Sequence, residues 1–172
     1  MYKIRTYLLL FVVLMLLQTF LFNNLTISVY LNPLVYIAFV ALLPLDTPRG
    51  WLLLAGLVSG LVADWTMAAA GINTISTVLI AFLRPTILDM LFGKENIRDG
   101  GTPSVERFGA GSFLQYLMIV VLLHHLVFFA LEALSWSHLL TTLLRLVMSG
   151  AVTIACTWIA SKLTTSKLSA RL

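Results

Sequence analysis

Long apolar runs broken by short polar stretches set the plan of this chain. Residues 7–22, 51–67, 72–91, 113–131 and 139–160 are each nearly free of charge. Each is close to the ~17–25 residues that a helix needs to cross hydrocarbon. A sixth stretch, 29–44, is weaker, because its uninterrupted apolar run is only 34–43. It spans by borrowing Ile27 to Leu31 or by sitting in a thinned bilayer. Asn32-Pro33 reads as its helix start, with Asn as cap and Pro in the first helical position. Arg84-Pro85 falls in the inner third of the fourth span, where Pro removes a backbone hydrogen bond and predicts a kink. Residues 86–92 are expected as an amphipathic end in the interface. Residues 93–111, rich in glycine and in charges of both signs, read as a mobile cytoplasmic loop. The predicted fold is an all-α, six-helix transmembrane bundle, residues 1–172 forming one domain.

The placement of charge fixes an orientation for that bundle. With both termini inside, Lys3, Arg5, Arg49, Lys94, Arg98, Arg107, Lys162, Lys167 and Arg171 all face the cytoplasm. The outer loops, 23–32 and 132–138, then carry no Lys or Arg, as the positive-inside rule requires. That sidedness needs an even number of spans. The 172 residues are 60% apolar and 10% charged, against about 25% charged in soluble domains. The pI near 9.5 reflects basic residues spread one or two per loop, a membrane-face pattern and not a nucleic-acid surface. The single cysteine, Cys156, excludes an intrachain disulfide and reads as a packing residue.

The most informative stretch is GLVSGLVADWTMAAAG, Gly56 to Gly71. Gly56, Gly60 and Ala63 lie one and two turns apart, and the G-x-x-x-G pair lets another helix backbone come close. Our reading is that this narrow flank grips spans of other proteins. Replacing Gly56 and Gly60 with Leu should then weaken assembly while the chain still inserts. Asp64 sits about 40° around the helix from Gly60. A charge at the centre of the bilayer costs about 2.5–3.5 kcal/mol on insertion scales, so this carboxylate needs a partner. Arg145 lies at similar depth, about 9 Å below the outer edge against about 10 Å for Asp64. The expected arrangement is an Asp64–Arg145 pair, with Glu132 as a further partner. The alternative is that Arg145 snorkels to the headgroups while Asp64 meets water.

Candidate chemistry is sparse. His124 and His125 are adjacent, so their side chains point about 100° apart and do not share a metal as i, i+4 residues do. His125 shares a helical face with Glu132, and Ser149 extends the polar stripe of Arg145. No serine elbow, P-loop or dinucleotide fingerprint is present. No cofactor is expected, and the reading is a non-enzyme.

A short six-span chain with GLVSGLVAD, a small-residue turn, Gly71 and the apolar helix TISTVLIAFL resembles the rod shape-determining MreD family. Gly60, Leu61 and Asp64 match the G-L-x-x-D end of that family's third helix, and Gly71 matches the glycine before its fourth. Glu132, at the end of the fifth helix, also looks like the family's. The turn TMAAAG departs from the family's Ser-Gly wording. The motif covers about fifteen residues; the architecture covers most of the chain.

The resemblance implies a non-catalytic component of the bacterial elongation machinery in the cytoplasmic membrane. It would bind MreC and help couple the MreB filament to peptidoglycan synthesis by RodA and a penicillin-binding protein. It also implies a fold like the S component of energy-coupling-factor vitamin transporters. The competing reading is such an S component itself, with Asp64, Arg145 and Glu132 lining an outward pocket. Its docking helix usually carries small residues four apart, whereas the first helix here is Leu, Phe, Val and Met. A small-molecule ligand is therefore not expected.

Overall fold

Runs of leucine, valine and phenylalanine uninterrupted by turn residues become long helices. The structure, a computed structural model, describes residues 2–24, 31–133 and 139–169. The parts of the expected outer loops at 25–30 and 134–138, and Arg171, lie outside them. Helix α1 is Tyr2–Leu16, continued by a wider π turn, Leu17–Leu21, and a 3-10 turn, Phe22–Asn24. It is followed by α2 (Ile37–Leu42), α3 (Arg49–Met67), α4 (Ile72–Phe92), α5 (Lys94–Arg98), α6 (Val105–Phe108), α7 (Ala110–Ala133) and α8 (Leu139–Ser169). No strand occurs among the described residues. Five helices are long and apolar enough to cross a membrane: α1 with its continuation, α3, α4, α7 and α8. The chain has the build of a multi-pass membrane protein.

The described part of the stretch 29–44, residues 31–44, is not a sixth long helix. Among these residues only Ile37–Leu42 is helical, and residues 34–43 are buried inside the bundle apart from a partly covered Phe39. Asn32-Pro33 does not start a helix, since the backbone of 31–34 carries no regular structure and the cap position falls to Tyr36. A helix over 31–42 would reach about 18 Å. Non-helical backbone at membrane depth is tolerated only when it is buried and its polar groups are satisfied.

Arg84 secures the other end of this segment. Its guanidinium donates to the carbonyls of Ala41 (3.3 Å), Leu43 and Pro44 (3.4 Å), and its Nε donates to the Tyr116 hydroxyl at 3.0 Å. Tyr116 passes its own proton to the Ala41 carbonyl at 2.8 Å. These are carbonyls that the end of α2 leaves without helical partners. Pro85 lies inside α4, which runs on to Phe92 with Ile87, Leu88 and Phe92 buried.

Residues 93–111 fold onto the same end of the bundle and do not form an open loop. Leu45 N–H donates to the Gly101 carbonyl at 2.8 Å, and the Tyr7 hydroxyl bonds Thr102. Phe108 stacks on Phe92 with ring centroids 3.7 Å apart. Glycines at 93, 100, 101 and 109 hold positive φ and let two short helices fit in so few residues.

Candidate functional site: a buried polar belt

The α3–α4 hairpin is built by small residues and closed by a carboxylate. A Cβ on Gly60 would lie 2.5 Å from the Thr74 Cα, and one on Gly56 would lie 2.8 Å from the Ala81 Cβ. Ala63 is fully buried. The small-residue flank is therefore occupied by α4 of the same chain. This corrects the expectation that it grips other proteins: the G-x-x-x-G spacing reports a close helix approach, and here the neighbour is the next helix along.

Asp64 lies in the last turn of α3 and caps the start of α4. Its Oδ1 accepts the Asn73 backbone N–H at 3.0 Å and the Asn73 side-chain amide at 3.1 Å. Its Oδ2 accepts the Thr74 backbone N–H at 2.9 Å and the Thr74 hydroxyl. These donors belong to the first turn of α4, where N–H groups lack helical partners and the helix dipole favours a negative charge. The chain reverses through Ala68, in the left-handed region at φ 51°, and Gly71 at φ 89°.

The Asp64–Arg145 pair is not formed. Arg145 Nη1 instead lies 2.9 Å from Glu132 Oε2, both side chains about one-third exposed, and the guanidinium sits 5.2 Å from the Phe129 ring centre. Equal depth did not bring the charges together, because the amides nine and ten residues away satisfied the carboxylate first. Glu132, the further partner considered, is the one Arg145 takes.

From Asp64 a chain of hydrogen bonds runs through Asn73 and Tyr36 to His124, and a second set around His125 reaches Thr153 of α8. Asn73 Oδ1 accepts the proton of the Tyr36 hydroxyl at 3.0 Å. Tyr36 has only that one proton, so at the 3.1 Å contact between its oxygen and His124 Nε2 the imidazole is the donor. Thr77 lies within 3.1 Å of Tyr36 and 3.2 Å of His124, and donates to the Asn73 carbonyl at 2.6 Å. The Val121 carbonyl can only accept, so His125 carries a proton on Nδ1, 2.9 Å away. In the neutral ring its Nε2 then accepts from Thr153 at 3.2 Å.

The belt also holds the non-helical residues 31–34. The Thr153 oxygen accepts Leu34 N–H at 3.1 Å, and Ser149 accepts Asn32 N–H at 2.8 Å. Gln18, fully buried on the π turn, accepts Val35 N–H at 2.7 Å and Tyr36 N–H at 3.4 Å, and donates to the Pro33 carbonyl at 3.1 Å. The backbone donors of 32, 34, 35 and 36 are thereby all placed, and Pro33 has none.

Of the residues singled out from sequence as interaction candidates, Asp64 alone enters this belt. Gly56, Gly60, Ala63 and Gly71 shape the hairpin beside it, and Glu132 and Arg145 form a separate pair. Gln18, Tyr36, Asn73, Thr77 and Thr153 were missed. Two signals pointed to members of the belt: Gln18 interrupts an otherwise greasy helix, and Ser149, Thr153, Thr157 and Ser161 recur every fourth residue, all buried. Among the described residues no group of three or more His, Cys, Asp or Glu is placed to hold a metal. The arrangement satisfies buried backbone donors of residues 32–36. No family model, curated protein or solved structure matches this chain.

Proposed function

We propose that this protein is a non-catalytic integral membrane component of the bacterial cell-shape machinery, of the MreD type. In this reading it sits in the cytoplasmic membrane with both termini inside and binds an MreC-like protein laterally. It thereby helps couple an MreB filament to peptidoglycan synthesis by RodA and a penicillin-binding protein. The observation that carries the reading is the role of the segment bearing the resemblance. Gly60, Asp64 and Gly71 are the close-approach point, the cap and the turn of one α3–α4 unit.

Two further features support it. Interior polar side chains such as Gln18, Asp64 and Thr153 are engaged with the chain's own backbone, whereas large apolar side chains such as Leu9, Val13, Leu54 and Leu61 face outward. Arg49, Lys94 and Arg98 gather around one groove at the end where Tyr7 meets Thr102, as an inner face would have them. Since the glycine flank is filled, partner contacts fall to the outward apolar faces.

Affinity purification of the tagged chain from bacterial membranes tests the reading. Recovery of an MreC-like protein, with synthase proteins in addition, is the expected result. Recovery of transporter ATPase subunits, or a vitamin bound to the purified protein, would overturn it in favour of an S component.

A further inference from the structure

The end of the bundle that carries the 93–111 fold holds a groove of about 520 Å³ between α3, α4 and α5. Four cations line it, Arg49, Arg84, Lys94 and Arg98, against two carboxylates, Asp46 and Asp89, an excess of two positive charges. None of the six is in an ion pair: among the described residues the one ion pair is Glu132–Arg145. Arg84 is only 1% exposed. A buried cation is costly unless it is paired or well hydrogen-bonded. Its bonds to Tyr116 and to the carbonyls of 41, 43 and 44 use four of the five guanidinium donors and supply no negative charge.

We propose that this groove binds the phosphate group of an anionic ligand. Arg49, Lys94 and Arg98 would contact the phosphate oxygens, and Arg84 would supply fixed positive potential from the buried wall. Guanidinium groups match phosphate geometry through parallel N–H donors. The level of the groove favours a lipid headgroup as the source. Trp51, two residues beyond Arg49, is 66% exposed, as an interfacial anchor would be. Basic pockets at the ends of membrane helices recognise anionic lipids in this way.

The test uses the full-length protein purified in a neutral detergent, with phosphatidylglycerol, zwitterionic phosphatidylcholine or inorganic phosphate added separately. Native mass spectrometry reads the bound adduct, and thermal unfolding reads stabilisation. The variant is Lys94→Gln/Arg98→Gln, chosen because both side chains are exposed and hold no buried bond; Arg84 is left intact. Phosphatidylglycerol should bind in preference to phosphatidylcholine, and each charge removed should weaken it about fivefold. If inorganic phosphate alone stabilises the protein with the same dependence on Lys94 and Arg98, the phosphate site stands and its ligand comes from solution. If the two lipids bind equally and phosphate has no effect, the proposal is overturned. It is overturned equally if the variant, folded by its unfolding transition, keeps the full lipid preference.

Discussion

Gly60→Leu should abolish a folded, monodisperse protein. The first added carbon would fall 2.5 Å from the Thr74 Cα, a backbone atom that cannot turn aside. Helices α3 and α4 would have to separate, and separation pulls Asp64 from the amides of Asn73 and Thr74. Overpacking a well-filled contact typically costs about 1–3 kcal/mol. Loss of a helix cap adds about 0.5–2 kcal/mol. Together these come to about 1.5–5 kcal/mol, up to the lower end of the ~5–15 kcal/mol by which proteins are stable. Gly60→Ala should give a weaker form of the same defect. Gly50→Ala, where nothing lies within 4 Å of the added carbon, should leave the protein unchanged. Size-exclusion profile and thermal unfolding in detergent read all three. A monodisperse Gly60→Leu protein of normal stability would return the glycine flank to the role of an external contact.

Gln18→Leu is the second large effect. It makes the side chain apolar at similar size, so helix α1 should still insert. It removes the acceptor for Val35 and Tyr36 N–H and the donor to the Pro33 carbonyl. Each buried group left unsatisfied costs about 1–3 kcal/mol. A loss of about 3 kcal/mol or more is expected from three such groups, read as a fall in unfolding temperature. Leu9→Ala, on the outward face of the same helix, should change it little. Equal stability of Gln18→Leu and the unaltered protein would mean that residues 31–36 do not depend on this side chain.

These two cases mark where the sequence could be read and where it could not. Hydropathy located α1, α3, α4, α7 and α8 to within a few residues at most ends, because a long charge-free run has few other structures open to it in a membrane. It failed at 29–44, because length was counted as if every residue were helical. Residues 31–34 are instead non-helical, and the groups that satisfy their backbone and that of residues 35 and 36, on Gln18, Ser149 and Thr153, lie far away in the chain. Glycine spacing announced a close approach without saying which helix approaches. For Asp64 the depth estimate singled out Arg145 as the partner. The local donors of Asn73 and Thr74, presented across a short turn, nonetheless held the carboxylate. In 93–111, composition showed turns but not that Phe108 would stack on Phe92 and close the end of the bundle.

The central claim is that the interior of this protein is closed by its own polar belt and that its partners meet its outer faces. A photo-crosslinking residue placed singly in growing cells tests it, at outward Leu9, Val13, Leu54 and Leu61 and at buried Tyr36 and His124. The account predicts adducts with an MreC-like membrane protein from at least one outward position, and only intramolecular products from Tyr36 and His124. Capture of a small molecule or a partner chain from the buried positions, with none from the outward ones, would contradict it.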